Sequence, residues 1–352
     1  MIDETIDFGL DPGESFEPAI AEEPFDLAQP HVMTVLGPVD PADLGLTLHH
    51  EHIIANPPGD DLDLVINDPH RALLELEAFE QVGGRTVVDM TTADYGRDVQ
   101  AIAWIAERSP VHIILATGHH KHLYAAPYVG DRTADEIAAI SIQELTGGIG
   151  DSGIRAGVIK AGTSLDVITP VEERVLRAAA RAHLATGAPI STHTEVGTMA
   201  LEQIALLAEE GVDPSRVIIG HQDRKLEEAH LRAVLQTGAY VSFDQISKAH
   251  FGSDRDRAAM VARLVDAGFV DQLLLSGDLA RKSAQPAYGG SPGWTYLVDS
   301  FPLMLMDAGI SAPTIRQLFF DNPARALTIR PPATRSEERG AGSEACRQAK
   351  QG

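Results

Sequence analysis

Eight short runs rich in β-branched and other apolar residues recur along this chain, at 46–50, 86–90, 111–117, 156–160, 189–193, 217–221, 240–244 and 272–276. Most precede a stretch whose apolar residues fall at helical spacing, as in 71–80, 99–106 and 201–209. Helix starts agree with this reading. Thr133 with Glu136 and Thr169 with Glu172 have the spacing of a capping box, Pro170 stands at a first helical position, and Asn322-Pro323 can open the last helix. Eight strand-then-helix units across about 300 residues predict an α/β fold, a closed (β/α)8 TIM barrel. An open doubly wound sheet is the alternative, but no glycine-rich dinucleotide loop follows the first run.

Charge is spread unevenly over the 352 residues. Nine carboxylates and no base lie within 1–30, which reads as an acidic flexible arm. Residues 331–352, opening on Pro331-Pro332 and rich in Gly, Ala, Ser and charge, read as a flexible tail, leaving 31–330 as the barrel domain. A net charge of −23 speaks against a nucleic-acid partner, which needs clustered Lys and Arg. The single cysteine, Cys346, offers no internal disulfide and no cysteine cage for a metal. An acidic start, and no apolar run approaching the ~20 residues of a membrane span, give the expectation of a cytoplasmic protein without a membrane partner.

Histidines carry the chemistry. His50, His193 and His221 stand at the C-terminal ends of predicted strands, with His52 just beyond the first. In a barrel those ends form the face on which active sites are built. The strand period of two puts His50 and His52 on one side, His49 and Glu51 on the other, so two imidazoles can reach one metal ion. Lys160 closes an apolar run, where a bare ammonium is costly unless paired or modified. Asp278 follows another and supplies a hard oxygen ligand or a proton acceptor. Such donors suit Zn2+, Mn2+, Co2+ or Fe2+. Two ions close together need a bridging anion, which a lysine provides only after carboxylation by CO2. The G-x-S-x-G pattern at 289–293 lies in a Gly- and Pro-containing loop rather than on a sharp strand-to-helix turn, so it makes no nucleophile elbow, which speaks against a serine hydrolase of the α/β-hydrolase kind.

The motifs TLHHEH at 47–52, GVIKAGTS around Lys160, STHTEVG around His193, IIGHQD around His221 and LSGD ending at Asp278 resemble the phosphotriesterase-like family of the amidohydrolase superfamily. The likeness runs from about residue 32 to residue 326, and ARKS at 280–283 with YGGSPGW at 288–294 is similar to the family's sugar-lactonase subgroup. The resemblance implies an amidohydrolase-type barrel with two divalent ions, zinc foremost. His50, His52 and Asp278 then hold the more buried ion, His193 and His221 the more exposed one, and carboxylated Lys160 with a hydroxide bridges them. It further implies a homodimeric ester hydrolase that opens lactones by attack of the bridging hydroxide, with Asp278 accepting its proton.

Two positions depart from the members that cleave phosphotriesters. The acid expected after the strand-six His and the His expected after the strand-seven Asp give way to Arg224 and Gln245. Bases crowd the predicted mouth, at Lys121, Arg224, Lys225, Lys248, Arg281 and Lys282, with Tyr124, Tyr128, Tyr288 and Trp294 as candidate pocket aromatics. They favour a small, anionic, hydrophilic or phosphorylated sugar lactone, bound through Lys121, Tyr124, Arg281, Lys282 and Tyr288. The opposing expectation is that these bases pair with neighbouring acids. An acyl-homoserine lactonase or promiscuous phosphotriesterase is the second functional reading, with a more apolar pocket. A Schiff-base aldolase with Lys160 as free amine is a remote third that leaves the histidines unexplained.

Overall fold

A computed structural model describes residues 25–332. Most of the predicted acidic arm and flexible tail, and Cys346, lie outside the described residues. A hairpin, β1 (Val32–Thr34) antiparallel to β2 (Gly37–Val39), comes first. Then follow β3 (Leu46–Glu51), β4 (Gly84–Asp89), β5 (His112–Gly118), β6 (Val158–Thr163), β7 (Ile190–Thr194), β8 (Val217–Ile219), β9 (Tyr240–Phe243) and β10 (Leu273–Leu275). These eight run parallel in chain order and curl into a nearly closed barrel wrapped by helices, as the alternation predicts. β8 and β10 stop short of His221 and Ser276 because the chain turns early there: His221 and Asp278 both take left-handed backbone, at φ 58° and 48°.

Both faces of the strands are covered, which is why they read as apolar runs rather than as alternation. Val87, Ile113, Leu115, Ile159 and Leu275 pack outward against the helices. Val88, Ile114, Val158, Ile218 and Leu274 point inward, where Val32, Leu44 and Leu327 close the N-terminal end of the barrel. Each such side chain contributes about 1.5–3 kcal/mol by leaving water. With that end sealed, the C-terminal end is the one left to hold chemistry. The capping boxes of Thr133 with Glu136 and Thr169 with Glu172 are both formed. The last helix begins at Asp321 rather than at Asn322, because Asn322 is turned inward and donates to the carbonyls of Val270 and Leu273 at 2.7 and 2.8 Å. No described helix is long and apolar enough to cross a membrane.

The seam between β10 and β3 is closed by side chains. Among the described residues no backbone ladder joins them. Glu51, fully buried, accepts at Oε1 from the Gly277 amide (2.6 Å) and Ser276 Oγ (2.7 Å), and at Oε2 from the Leu279 amide (2.8 Å) and Trp294 Nε1 (3.0 Å). Burial pushes its carboxyl up to about 7 despite these donors. The Asp278 amide completes the seam by donating to the His50 carbonyl at 3.0 Å. Trp294, a candidate pocket aromatic in the sequence, is instead a buried strut of this seam.

Glu51→Ala leaves two amides and an indole N–H without their acceptor, while the Ser276 hydroxyl keeps the His50 carbonyl at 3.0 Å. At about 1–3 kcal/mol per unmet buried donor, urea unfolding of the metal-free protein is expected to show a loss of at least about 3 kcal/mol. A loss below about 1 kcal/mol would show that the seam is held by something else.

Candidate metal centre

The strand ends deliver the sequence-predicted residues to one place. His50 and His52 leave β3, Lys160 sits within β6, His193 within β7, and His221 and Asp278 follow β8 and β10 across the two left-handed turns. A non-glycine residue in that region is uncommon and costs of order 1–3 kcal/mol. The turns are supported: the His221 amide donates to Asp244 Oδ1 at 3.0 Å, and the Asp278 amide to the His50 carbonyl.

His50, His52 and Asp278 gather with ligand atoms within 4.8 Å of one another. Asp278 Oδ1 lies 3.4 Å from His52 Nε2 and 3.9 Å from His50 Nε2. Its other oxygen accepts from Lys248 Nζ at 2.8 Å and Gln245 Nε2 at 2.9 Å. Burial opposes a charge on Asp278, but Lys248 and the neighbouring imidazoles outweigh it and hold the carboxyl well below its ordinary value. Lys160 Nζ reaches His50 Nε2 at 3.4 Å, and burial lowers the Lys160 ammonium to about 8 against the pull of the surrounding aspartates.

The second group is tighter. His193 Nδ1 and His221 Nε2 lie 2.8 Å apart, and the remaining nitrogen of each ring meets a carboxylate. His221 Nδ1 donates to Asp244 Oδ1 at 2.7 Å, and His193 Nε2 to Glu195 Oε2 at 3.2 Å. A carboxylate only accepts, so the protons belong on those outer nitrogens. Burial, then the neighbouring His221, drives His193 down to about 3, so its ring is neutral. The inner nitrogens, Nδ1 of His193 and Nε2 of His221, therefore converge within 2.8 Å, where one cation could take both. The two groups adjoin, the rings of His50 and His221 being 5.0 Å apart. Burial, then Lys160, holds His50 well below its ordinary value, and burial lowers His52. Neutral imidazoles, an ionised carboxylate and a readily deprotonated lysine are a donor set that fits divalent transition metals.

Asp244 escaped the sequence reading as a site residue. It is fully buried, takes His221 on one oxygen, and lies 3.3 Å from His50 Nδ1 on the other, so one carboxylate orients an imidazole in each group. Asp244 lies close enough to His50 and His221 to be grouped with them, and it faces the Nδ1 atom of each ring. Its signal was present: it ends its strand as Asp278 ends another. Glu195 was also missed, two residues beyond His193.

Above these groups opens a cavity of about 520 Å³ lined by Tyr95, His120, Tyr124, Phe251, Lys248 and Arg281, among others. Each base at its mouth has an acidic partner. Lys121 and Arg224 both reach Glu195, Lys248 holds Asp278, and Arg281 pairs with Asp61 at 2.8 Å and Asp63 at 3.3 Å. Lys121, Tyr124 and Arg281 line the cavity as the sequence led us to expect. Lys282 and Tyr288 are not brought to it. Tyr288 accepts from the Asp68 amide at 3.0 Å beneath the Arg71 guanidinium, and Lys282 lies over its ring. Tyr128 is half exposed on the helix His122–Val129.

Residues 30–327 match the profile of the Phosphotriesterase family. A lactonase from Listeria monocytogenes superposes with a TM-score of 0.82 at 36% identity, covering 85% of this chain and 99% of that one. The phosphotriesterase homology protein of Escherichia coli, solved with phosphate in its active site, gives 0.78 at 35% identity over 81% of this chain and 99% of its own. A phospho-furanose lactonase of Mycoplasmopsis synoviae is 31% identical over 84% of this chain and 91% of its own.

Asp244→Asn removes the charge that orients His50 and His221 without changing size. Metal affinity is expected to fall about 10–100-fold, the usual effect of losing a residue behind a ligand. Equilibrium dialysis with metal analysis checks this, and unchanged affinity would leave Asp244 a packing residue only.

Proposed function

The chain belongs to the phosphotriesterase family, and from that premise we propose that this metal-dependent ester hydrolase is a binuclear lactonase acting on hydrophilic, phosphorylated sugar lactones. The observation that carries the metal reading is the convergence of one ring nitrogen from His193 and one from His221, each ring backed by a carboxylate. His193 and His221 would hold the more exposed ion, and His50, His52 and Asp278 the more buried one. When bound, two such ions supply a Lewis acid for the lactone carbonyl and lower the pKa of an attacking water.

The chain's own residues do the rest. Burial brings Lys160 to about 8, so an appreciable share is free amine near neutrality and can add CO2, losing a proton to give a carbamate anion. That modification removes an ammonium from a site about to receive cations. Asp278 is poised to accept a proton, its Oδ2 anchored by Gln245 and Lys248. Neither Gln245 nor Arg224 can carry that proton onward, so it leaves through water in the open cavity, which suits ring-opening of a lactone.

The size and polarity of the cavity support a small sugar lactone rather than a long acyl chain. Arg281 stands at its mouth, where a phosphate could exchange with the Asp61 and Asp63 carboxylates it now holds. A phospho-furanose lactonase among the relatives, and phosphate in the active site of a neighbouring structure, point the same way.

After loading with Zn2+, Mn2+ or Co2+ in bicarbonate, turnover of a phosphorylated furanose lactone is expected to exceed that of acyl-homoserine lactones and phosphotriesters. Equal or better turnover of long-chain acyl lactones would overturn the substrate assignment. Arg281→Met should raise KM for the phosphorylated lactone about tenfold, one charge-assisted contact's worth, with little change in kcat. Recovery of activity by metal-free protein given metal and bicarbonate should be faster at about pH 8.5 than at about pH 6.5, because free amine increases as pH rises through the Lys160 value. A pH-independent recovery would argue against carboxylation of Lys160.

A further inference from the structure

Glu195 occupies a place that none of the strand-end ligands explains. It follows β7 and lines the cavity beside His193. Its Oε2 accepts from His193 Nε2 at 3.2 Å and from Lys121 Nζ, and its Oε1 from Arg224 at 3.3 Å. Lys121 comes from the turn after β5 and Arg224 from the turn after β8, so one carboxylate ties together the turns after β5, β7 and β8 over a single imidazole.

The backbone is bent to put it there. The next residue, Val196, lies at φ 55°, ψ 30°, and Met199 at φ 62°. A β-branched residue in the left-handed region is an outlier that surrounding contacts must enforce. Arg224 is fixed from a second direction by the Phe251 ring, whose centroid lies 3.8 Å from its guanidinium carbon.

We propose that Glu195 is a positioning residue for the exposed ion: it fixes His193 as the Nε2–H tautomer, with Nδ1 free to ligate, and Lys121 and Arg224 hold it in that position. Asp244 does the same for His221 from the opposite side. The two imidazoles of the exposed subsite are thus each backed by a carboxylate, one from β9 and one from the turn after β7. Lys121 and Arg224 act through Glu195 on metal retention. The inference rests on the binuclear reading, and it also makes a claim about the metal-free protein that can be checked separately.

Histidine-labelled metal-free protein reports the tautomer directly through ring 15N shifts. In the wild type His193 is expected as Nε2–H; in Glu195→Ala it should become a mixture of tautomers. An Nδ1–H His193 in the wild type would overturn the inference whatever the metals do. Titration of the bicarbonate-treated protein with Zn2+ against a chromophoric chelator gives the second reading. Glu195→Ala should bind one ion as the wild type does and the other about 10–100-fold more weakly. Glu195→Gln keeps the volume and one acceptor oxygen and should fall between the two; it also serves if the alanine variant melts below the wild type. Two ions held with wild-type affinity in both variants would overturn the proposal. A wild type that never takes a second ion would overturn the binuclear reading and this inference with it, even if the tautomer were as expected.

Discussion

The barrel closes, and its site exists, because a buried carboxylate spans the seam between the first and last parallel strands. Eight parallel strands supply seven shared edges; the eighth edge, β10 against β3, is made by Glu51 accepting four hydrogen bonds from 276, 277, 279 and Trp294. Burying a carboxylate is costly, and only a full set of donors offsets it. The gain is positional. The amides before and after Asp278 are both nailed to Glu51, while the Asp278 amide itself is tied to His50. Two members of the candidate donor set, from opposite ends of the sequence, are thereby held by the same few atoms that close the sheet. A site made this way does not depend on a flexible loop finding its place.

The same logic recurs around the histidines. Imidazoles in a dry barrel are neutral because burial disfavours their charged form, but a neutral imidazole has two tautomers, and only one ligates. Asp244 and Glu195 remove that freedom at His221 and His193, and Thr91, bonded to His52 Nδ1 at 2.7 Å, does so without charge. Carboxylates behind the ligands also raise ligand basicity. The geometry consequently brings one ring nitrogen of each histidine together at 2.8 Å, ready for a single cation. Affinity and order come from the same arrangement.

The strand and helix alternation, the strand-end histidines, Lys160 and Asp278 were all legible in the sequence, because a parallel barrel turns linear position at a strand end into position around one face. What stayed illegible depended on distance across the barrel. Glu51 reads as the polar partner of His49 on one strand, and nothing in 47–52 says that its acceptors meet 276–279. Trp294 lies in a loop of glycines and prolines that looks like a pocket wall, yet its indole points into the seam. Lys282 and Tyr288, a few residues from Arg281, are carried outward by two short turns, 282–284 and 286–288, whose direction no periodicity reveals. Asp244 could have been read by the rule that found Asp278, whereas Glu195 matters only because Val196 adopts a backbone its residue type resists.

Charge at the mouth makes the sharpest contrast between reading in one dimension and in three. Counted along the chain, the bases after β5, β8, β9 and β10 form a positive ring that invites an anion. In the fold four of them that line the cavity are committed: Lys121 and Arg224 to Glu195, Lys248 to Asp278, Arg281 to Asp61 and Asp63. An anionic group can then bind only by exchange, taking over a base as its carboxylate turns back to water. Exchange is easiest where the carboxylate is solvated, at the half-exposed Asp61 and Asp63, and hardest at Glu195 and Asp278, which are each fixed by several partners. On the reading proposed above, electrostatic selection at this mouth falls to Arg281, while the deeper bases hold Asp278 and the carboxylate behind His193. The deeper positive charge then serves the architecture of the site, and the charge proposed to meet the substrate stands one layer out.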